Sequence, residues 1–114
     1  MTAKFNQITT DISTQLAKIR KEMPEVMAGF SALAQAATKE GKLDKKTKEF
    51  IAIALGVANH CPGCIGFHAQ TLVKLGASRE EFLETLSMAI YMGGGPSLMY
   101  AAEALEAFEE FGGK

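Results

Sequence analysis

The run Phe50-Ile51-Ala52-Ile53-Ala54-Leu55-Gly56-Val57-Ala58 is apolar without a break. A charged segment ending at Glu49 precedes it, and the polar pair Asn59-His60 follows. Wound into a helix, the run presents apolar side chains in every direction. A helix of that kind is buried on all sides. A chain of 114 residues is long enough for one domain with a hydrophobic core of its own. In so small a domain, residues 1–114 forming a single unit, a central helix this apolar predicts that another subunit covers one of its faces. Homo-oligomerisation is therefore expected, with further interface surface on the N-terminal helix and the Met-rich sixth segment.

The remainder of the chain also reads helical, so the expected class is all-α, a compact bundle of about six helices. The first runs from about Phe5 to Glu22, with Ile8, Ile12, Leu16 and Ile19 at helical spacing. Pro24 opens the second at a favoured early position, and Gly41 ends it. Asp44 is the expected N-cap of the third, which continues to about Asn59. The fourth runs from Pro62 to Gly76. Ser78 caps the fifth, with Glu81 three residues on to complete a capping box. Gly93-Gly94-Gly95-Pro96 breaks the pattern as a turn that could also shape a pocket mouth, and a sixth helix reaches about Phe111. Nothing alternates with period two for long enough to predict a strand.

The balance of charge narrows the function classes. A net charge of -1 with no arginine cluster gives no footprint for nucleic acid. The apolar runs are too short to span a bilayer. The N-terminus is polar and amphipathic and lacks an apolar signal core, which predicts a cytoplasmic protein. In a reducing compartment, two cysteines spaced C-x-x-C read as a redox or metal-binding pair and not as a structural staple.

Both cysteines and both histidines fall within nine residues, His60-Cys61-Pro62-Gly63-Cys64-Ile65-Gly66-Phe67-His68. These are the side chains best suited to redox chemistry and proton transfer near neutral pH. Pro62 disfavours helical geometry at Cys61 and suits the first turn of a new helix. Cys61 is then the N-cap, and Cys64 lies in the first turn, where the helix end favours a thiolate. Cys61, Cys64 and His68 project within an arc of roughly 60°. The two cysteines can approach within disulfide range, and His68 lies one turn below Cys64 on the same face, placed to take or return a thiol proton. Leu72 and Leu75 continue the stripe, so the reactive face points partly inward, towards a pocket.

Glu49 joins this group if the third and fourth helices form an antiparallel hairpin. It lies about 16 Å back from the turn, and His68 roughly 10 Å forward of it. That offset is within reach of a glutamate side chain and a water. A carboxylate near an imidazole fixes its tautomer and stabilises its protonated form.

Glu49, eleven intervening residues, Cys61-x-x-Cys64, three residues and His68 form the pattern E-x11-C-x2-C-x3-H. With it, the segment from about Pro24 to Phe108 resembles the AhpD-like alkylhydroperoxidases of the carboxymuconolactone decarboxylase superfamily. The resemblance implies an all-helical fold with a central hairpin carrying the C-x-x-C site, and a hexamer built as a trimer of dimers. It implies an antioxidant thiol peroxidase that reduces alkyl hydroperoxides with no cofactor beyond a redox-active Cys61–Cys64 disulfide. Cys64 resembles the peroxide-attacking thiol, Cys61 the resolving thiol, and Glu49 and His68 the proton relay. A dithiol or dihydrolipoyl-type donor would return the electrons. Some family members carry a further histidine between the cysteines. Here Pro62-Gly63 fills that place, and His60 precedes the motif as an auxiliary candidate.

Other readings stand beside this one. In many C-x-x-C helices the N-terminal cysteine is the more exposed and acidic; Cys64 is preferred as nucleophile because His68 is beside it and because of the resemblance. A zinc site could draw on Cys61, Cys64, His68 and His60, although structural zinc sites usually gather ligands from two separated segments. A dedicated disulfide reductase, a metal-binding redox module and a lactone decarboxylase are the alternative functions. His60 could simply bind a last-turn carbonyl. Met88, Met92 and Met99 read as core or interface filler. Glu103, Glu106, Glu109 and Glu110 read as a solvated helix face.

Overall fold

The computed structural model describes residues 3–114. Its six helices are α1 (Lys4–Glu22), α2 (Pro24–Thr38), α3 (Lys45–Ala58), α4 (Pro62–Lys74), α5 (Arg79–Gly93) and α6 (Gly95–Glu110). The described residues contain no strand. The all-α expectation and the number of helices hold.

Local chemistry explains most boundaries. Asp44 caps α3, its carboxylate accepting from the Thr47 N–H at 2.8 Å. Prolines stand in the first turns of α2, α4 and α6, where the missing N–H costs nothing. At α5, Ser78 Oγ accepts from Glu81 N–H at 3.1 Å and Glu81 Oε1 accepts from Ser78 N–H at 2.9 Å, the expected capping box. Two helices end earlier than the glycines suggested. The α2 helix stops at Thr38, and Lys48 of α3 donates to the Ala37 and Lys39 carbonyls at its end. The α4 helix stops at Lys74, ahead of Gly76 with its φ of 79°. The Gly93–Pro96 break is tighter than its sequence suggests, because Gly94 alone separates α5 from α6. A Cβ on Gly93 would fall on the Ser97 hydroxyl, so this helix-to-helix corner needs a glycine there.

Glu106 of α6 is exposed, as a solvated face predicts, but the other three glutamates of that face have partners. Glu103 pairs with Lys4 and Glu109 with Arg79. Glu110 Oε2 accepts from the Phe5 N–H at 2.8 Å and the Asn6 N–H at 3.3 Å. The first residues of α1, which have no side-chain cap of their own, are thus capped from the far end of the chain.

The core is built by five helices. Phe5, Ile53, Val57, Ile65, Leu72, Phe82 and Phe108 are fully buried, and the Phe82 and Phe108 rings stack at 4.4 Å. The α3–α4 hairpin occupies the middle. The α1 helix lies close on the back of α4, at Gly63 and Gly66. Cβ atoms there would fall 2.6 Å from Ile12 Cδ1 and 2.7 Å from Thr9 Cγ2.

The α2 helix contributes nothing to the core. Val26, Phe30 and Leu33 are 60%, 65% and 63% exposed, so its apolar side faces away from the rest of the chain. Nor is α3 buried all round within one chain: Glu49, Ile53, Gly56 and Val57 face inward, whereas Ile51 and Leu55 face out. Met88, Met92 and Met99 are likewise exposed and fill no core.

Candidate redox site

The turn between α3 and α4 has the hydrogen bonds of a Schellman motif. His60 N–H donates to Val57 O, and Cys61 N–H donates to Gly56 O, at 3.1 and 3.0 Å. This motif places its pivotal residue in the left-handed region, normally a glycine. His60 takes that place with a φ of 55°, the one non-glycine residue with positive φ among the described residues. A side chain there costs roughly 1 kcal/mol or more.

The chain leaves the turn extended at Cys61, with φ -115° and ψ 93°, and enters α4 at Pro62. Cys61 is therefore the N-cap, as the Cys-Pro pair predicts. Its sulfur accepts from the Cys64 N–H at 3.1 Å. The two cysteines are joined as a disulfide with a Cα separation of 5.3 Å. Helix N-termini hold anions well, so the same end of α4 would favour a thiolate once the bond is opened. Both cysteines are partly exposed.

Gly56 sets the distance between the helices here. A Cβ on it would sit 3.1 Å from the Cys64 Cβ, tighter than a relaxed contact. Glu49, Ile53 and Gly56 follow one another at helical spacing on the inward stripe of α3. Because Gly56 meets Cys64 near the turn, the stripe leads away from the turn to Glu49. On α4, His68 stands one turn beyond Cys64. The antiparallel pairing brings them together: His68 Nδ1 lies 2.7 Å from Glu49 Oε1. No bridging water is needed, although residue offsets along ideal helix axes allowed for one. Real side chains lean along the helix and close the gap.

Glu49 is only 4% exposed, so its carboxylate is not the solvated charge its lysine neighbours suggest. A buried carboxylate without a partner is expensive; His68 supplies one. With Glu49 ionised, Nδ1–H donates to Oε1, and Nε2 is the ring nitrogen left to exchange a proton. His68 itself is about one-third exposed, bridging a buried acid and the solvent side. Cys61, Cys64 and His68 are all half-buried, so the reactive face is partly open. A groove of about 450 Å³ lies between α1 and α4, beside Asn6, Thr9, Ser13, Phe67 and Gln70.

His60 does not join the Glu49–His68 pair; it binds a last-turn carbonyl of α3, as expected, but through its backbone N–H. Its ring stacks on Tyr100 of α6, ring centres 4.6 Å apart and planes within 5°. Among the described residues, no three His, Cys, Asp or Glu side chains converge as a metal site would require. Tyr100 and Gly56 are the site neighbours that the sequence did not single out. Gly56 was legible as a lone glycine inside an apolar helix, a mark of close approach. Tyr100 carries no such mark.

Residues 24–107 match the carboxymuconolactone decarboxylase family. An uncharacterised protein of Cupriavidus necator is 38% identical over 109 residues, covering 90% of this chain and 96% of its own length. A second relative, uncharacterised protein 4 in the cox locus of Paracoccus denitrificans, is 34% identical over 84 residues, covering 74% of this chain and 76% of its own. Among solved structures, a carboxymuconolactone decarboxylase family protein from Legionella pneumophila superposes with a TM-score of 0.95 at 79% identity, covering 96% of this chain and 98% of that one. Another family protein, from Thermotoga maritima, for which an antioxidative role has been suggested, superposes with a TM-score of 0.80 at 29% identity, covering 90% and 87%. Agreement over most of the chain in sequence, and over nearly all of it in shape, means that this protein belongs to the carboxymuconolactone decarboxylase family.

Proposed function

We propose that the protein is a thiol-dependent peroxidase that reduces alkyl hydroperoxides through the Cys61–Cys64 pair. The observation that carries this reading is the meeting, on one helical hairpin, of a cysteine pair at a helix N-terminus with a buried Glu49–His68 couple. The antioxidative role suggested for the Thermotoga maritima relative points the same way.

The chemistry balances as follows. The Cys64 thiolate attacks one peroxide oxygen. The O–O bond breaks, and the departing alkoxide takes a proton handed on by His68, giving an alcohol and a Cys64 sulfenic acid. The Cys61 thiol then attacks the Cys64 sulfur, and water leaves as the disulfide forms. A dithiol donor, of dihydrolipoyl type, returns two electrons and two protons by exchange. No cofactor beyond the disulfide is required. Glu49 orients the imidazole through its contact with Nδ1.

A homo-oligomer belongs to this reading, with a hexamer as trimer of dimers covering Val26, Phe30, Leu33, Ile51 and Leu55. Their exposure on the single chain supports it. So does a cytoplasmic location, where dithiol donors are maintained. No helix of the described residues is long and apolar enough to cross a membrane.

Stopped-flow mixing of reduced protein with an alkyl hydroperoxide tests the proposal. Loss of both thiols together, reversed by a dithiol and blocked in Cys64→Ser, is the expected result. Thiols that stay free at millimolar peroxide would discard the peroxidase reading in favour of a dedicated disulfide reductase. Lactone decarboxylation surviving in a double Cys→Ser variant would replace both.

A further inference from the structure

His60 occupies a position where glycine would be free of strain, and it precedes the redox pair directly. A side chain kept at such a position is expected to contribute something that a glycine cannot. The structure stacks this ring on Tyr100, nearly parallel at 4.6 Å. The backbone of the same turn delivers Cys61 to its N-cap place, through the bond from Cys61 N–H to Gly56 O.

We propose that His60 and Tyr100 are positioning residues for the cysteine pair: their stack locks the left-handed turn so that Cys61 stays in closing distance of Cys64 when the disulfide is open. The inference rests on the redox reading of the pair. While the disulfide is closed, the covalent bond itself holds Cys61 in place. Reduction breaks the S–S bond, puts one proton on each sulfur and oxidises a dithiol to its disulfide. Cys61 is then held by its backbone bonds, by the N-cap bond from the Cys64 N–H to its sulfur and by the conformation of His60. A histidine at positive φ gains energy by relaxing to the extended region, and that relaxation would swing Cys61 away from Cys64. The stack on α6 opposes the swing. It stabilises the near-closed dithiol geometry, raises the effective concentration of one thiol at the other and favours the disulfide.

The test is the equilibrium of the Cys61–Cys64 pair with a dithiothreitol redox series, read by thiol alkylation and mass. It is run on the full chain and on its Tyr100→Ala, Tyr100→Phe and His60→Gly variants. Tyr100→Ala is expected to make the disulfide roughly threefold to tenfold easier to reduce; a tenfold change corresponds to about 30 mV. Tyr100→Phe keeps the stacking face and should match the parent. His60→Gly removes the ring without straining the turn, so it folds and separates the ring's effect from the backbone's. With the strain gone along with the ring, it should stay close to the parent, whereas Tyr100→Ala keeps the strain and loses the restraint. Melting of the oxidised and reduced forms completes the set. An equilibrium unmoved in Tyr100→Ala, with both forms losing equal thermal stability, would overturn the proposal and leave the stack a plain packing contact. Failure of the peroxidase reading is a separate result, because it shows as absent peroxide turnover while the dithiol equilibrium is still measurable.

Discussion

Glu49 and His68, nineteen residues apart, share a 2.7 Å contact across the α3–α4 hairpin. The carboxylate is buried and the imidazole reaches the surface, so the pair runs from the protein interior to solvent. Replacing Glu49 by Gln keeps a hydrogen-bonding group of the same size and removes the charge. General acid–base groups typically contribute about 100-fold or more to rate. We expect kcat/KM for an alkyl hydroperoxide to fall by about that factor in Glu49→Gln with the helical circular dichroism unchanged. Turnover as fast as the parent's would show that the pair is structural.

Gly56 and Gly29 offer a matched comparison inside two helices. Nothing lies within 4 Å of a Cβ added at Gly29, whereas one at Gly56 meets the Cys64 Cβ at 3.1 Å. Gly→Ala in an open helix gains roughly 0.5–1 kcal/mol. Overpacking typically costs about 1–3 kcal/mol, and Cys64 is tethered by its disulfide and cannot easily give way. Gly29→Ala should therefore raise the melting temperature, and Gly56→Ala should lower it and slow disulfide closure. Thermal melts and the rate of thiol loss after peroxide addition read both effects.

Glu110 binds the first turn of α1 from the last turn of α6. Loss of an N-terminal cap costs about 1 kcal/mol. In Glu110→Ala the amides of Phe5 and Asn6 should exchange faster, and global stability should fall by about that amount. Glu110→Gln retains an acceptor oxygen and should lie between the parent and Glu110→Ala. Unchanged exchange in Glu110→Ala would mean that solvent serves the helix end equally well.

Asp44 and Glu81 give the fold a defined acid sensitivity. Hydrogen bonds from Thr47, side chain before backbone, hold Asp44 below the usual carboxylate value. The Ser78 backbone N–H, and then Lys46, do the same for Glu81. A carboxylate depressed in the folded state contributes stability that is present above its unfolded value and lost as pH falls through its folded one. Melting temperature should therefore decline on acidification through and below the ordinary carboxylate range. Asp44→Asn and Glu81→Gln should each flatten that decline. Both groups face water, so added salt should weaken the Lys46 part of the effect. A decline equally steep in both variants would place the acid sensitivity elsewhere.

The sequence revealed the site in proportion to how local its causes are. Pro62 after Cys61, Ser78 three residues before Glu81, and Asp44 ahead of a helical run each act within one turn. Each was readable and each stands where it was expected. Glu49 and His68 were readable because a tight turn makes a hairpin's register calculable. Contacts made by distant helices were not. Nothing near Glu110 says that it caps α1, and nothing near Tyr100 says that it meets His60. The outward orientation of α2 was hidden for another reason. Val26, Phe30 and Leu33 have the spacing of an inward stripe, and periodicity finds a stripe without saying what covers it.

The Cys61–Cys64 bond joins residues three apart. Cross-links stabilise a fold mainly by shrinking its unfolded ensemble, and do so more as the closed loop lengthens. This one encloses almost no chain. The six-helix scaffold is therefore held by burial and caps, not by its sulfur bridge, and opening the bridge leaves the architecture standing. Oxidation state is confined to one corner of one hairpin, so the molecule's electron count can change without its shape having to follow.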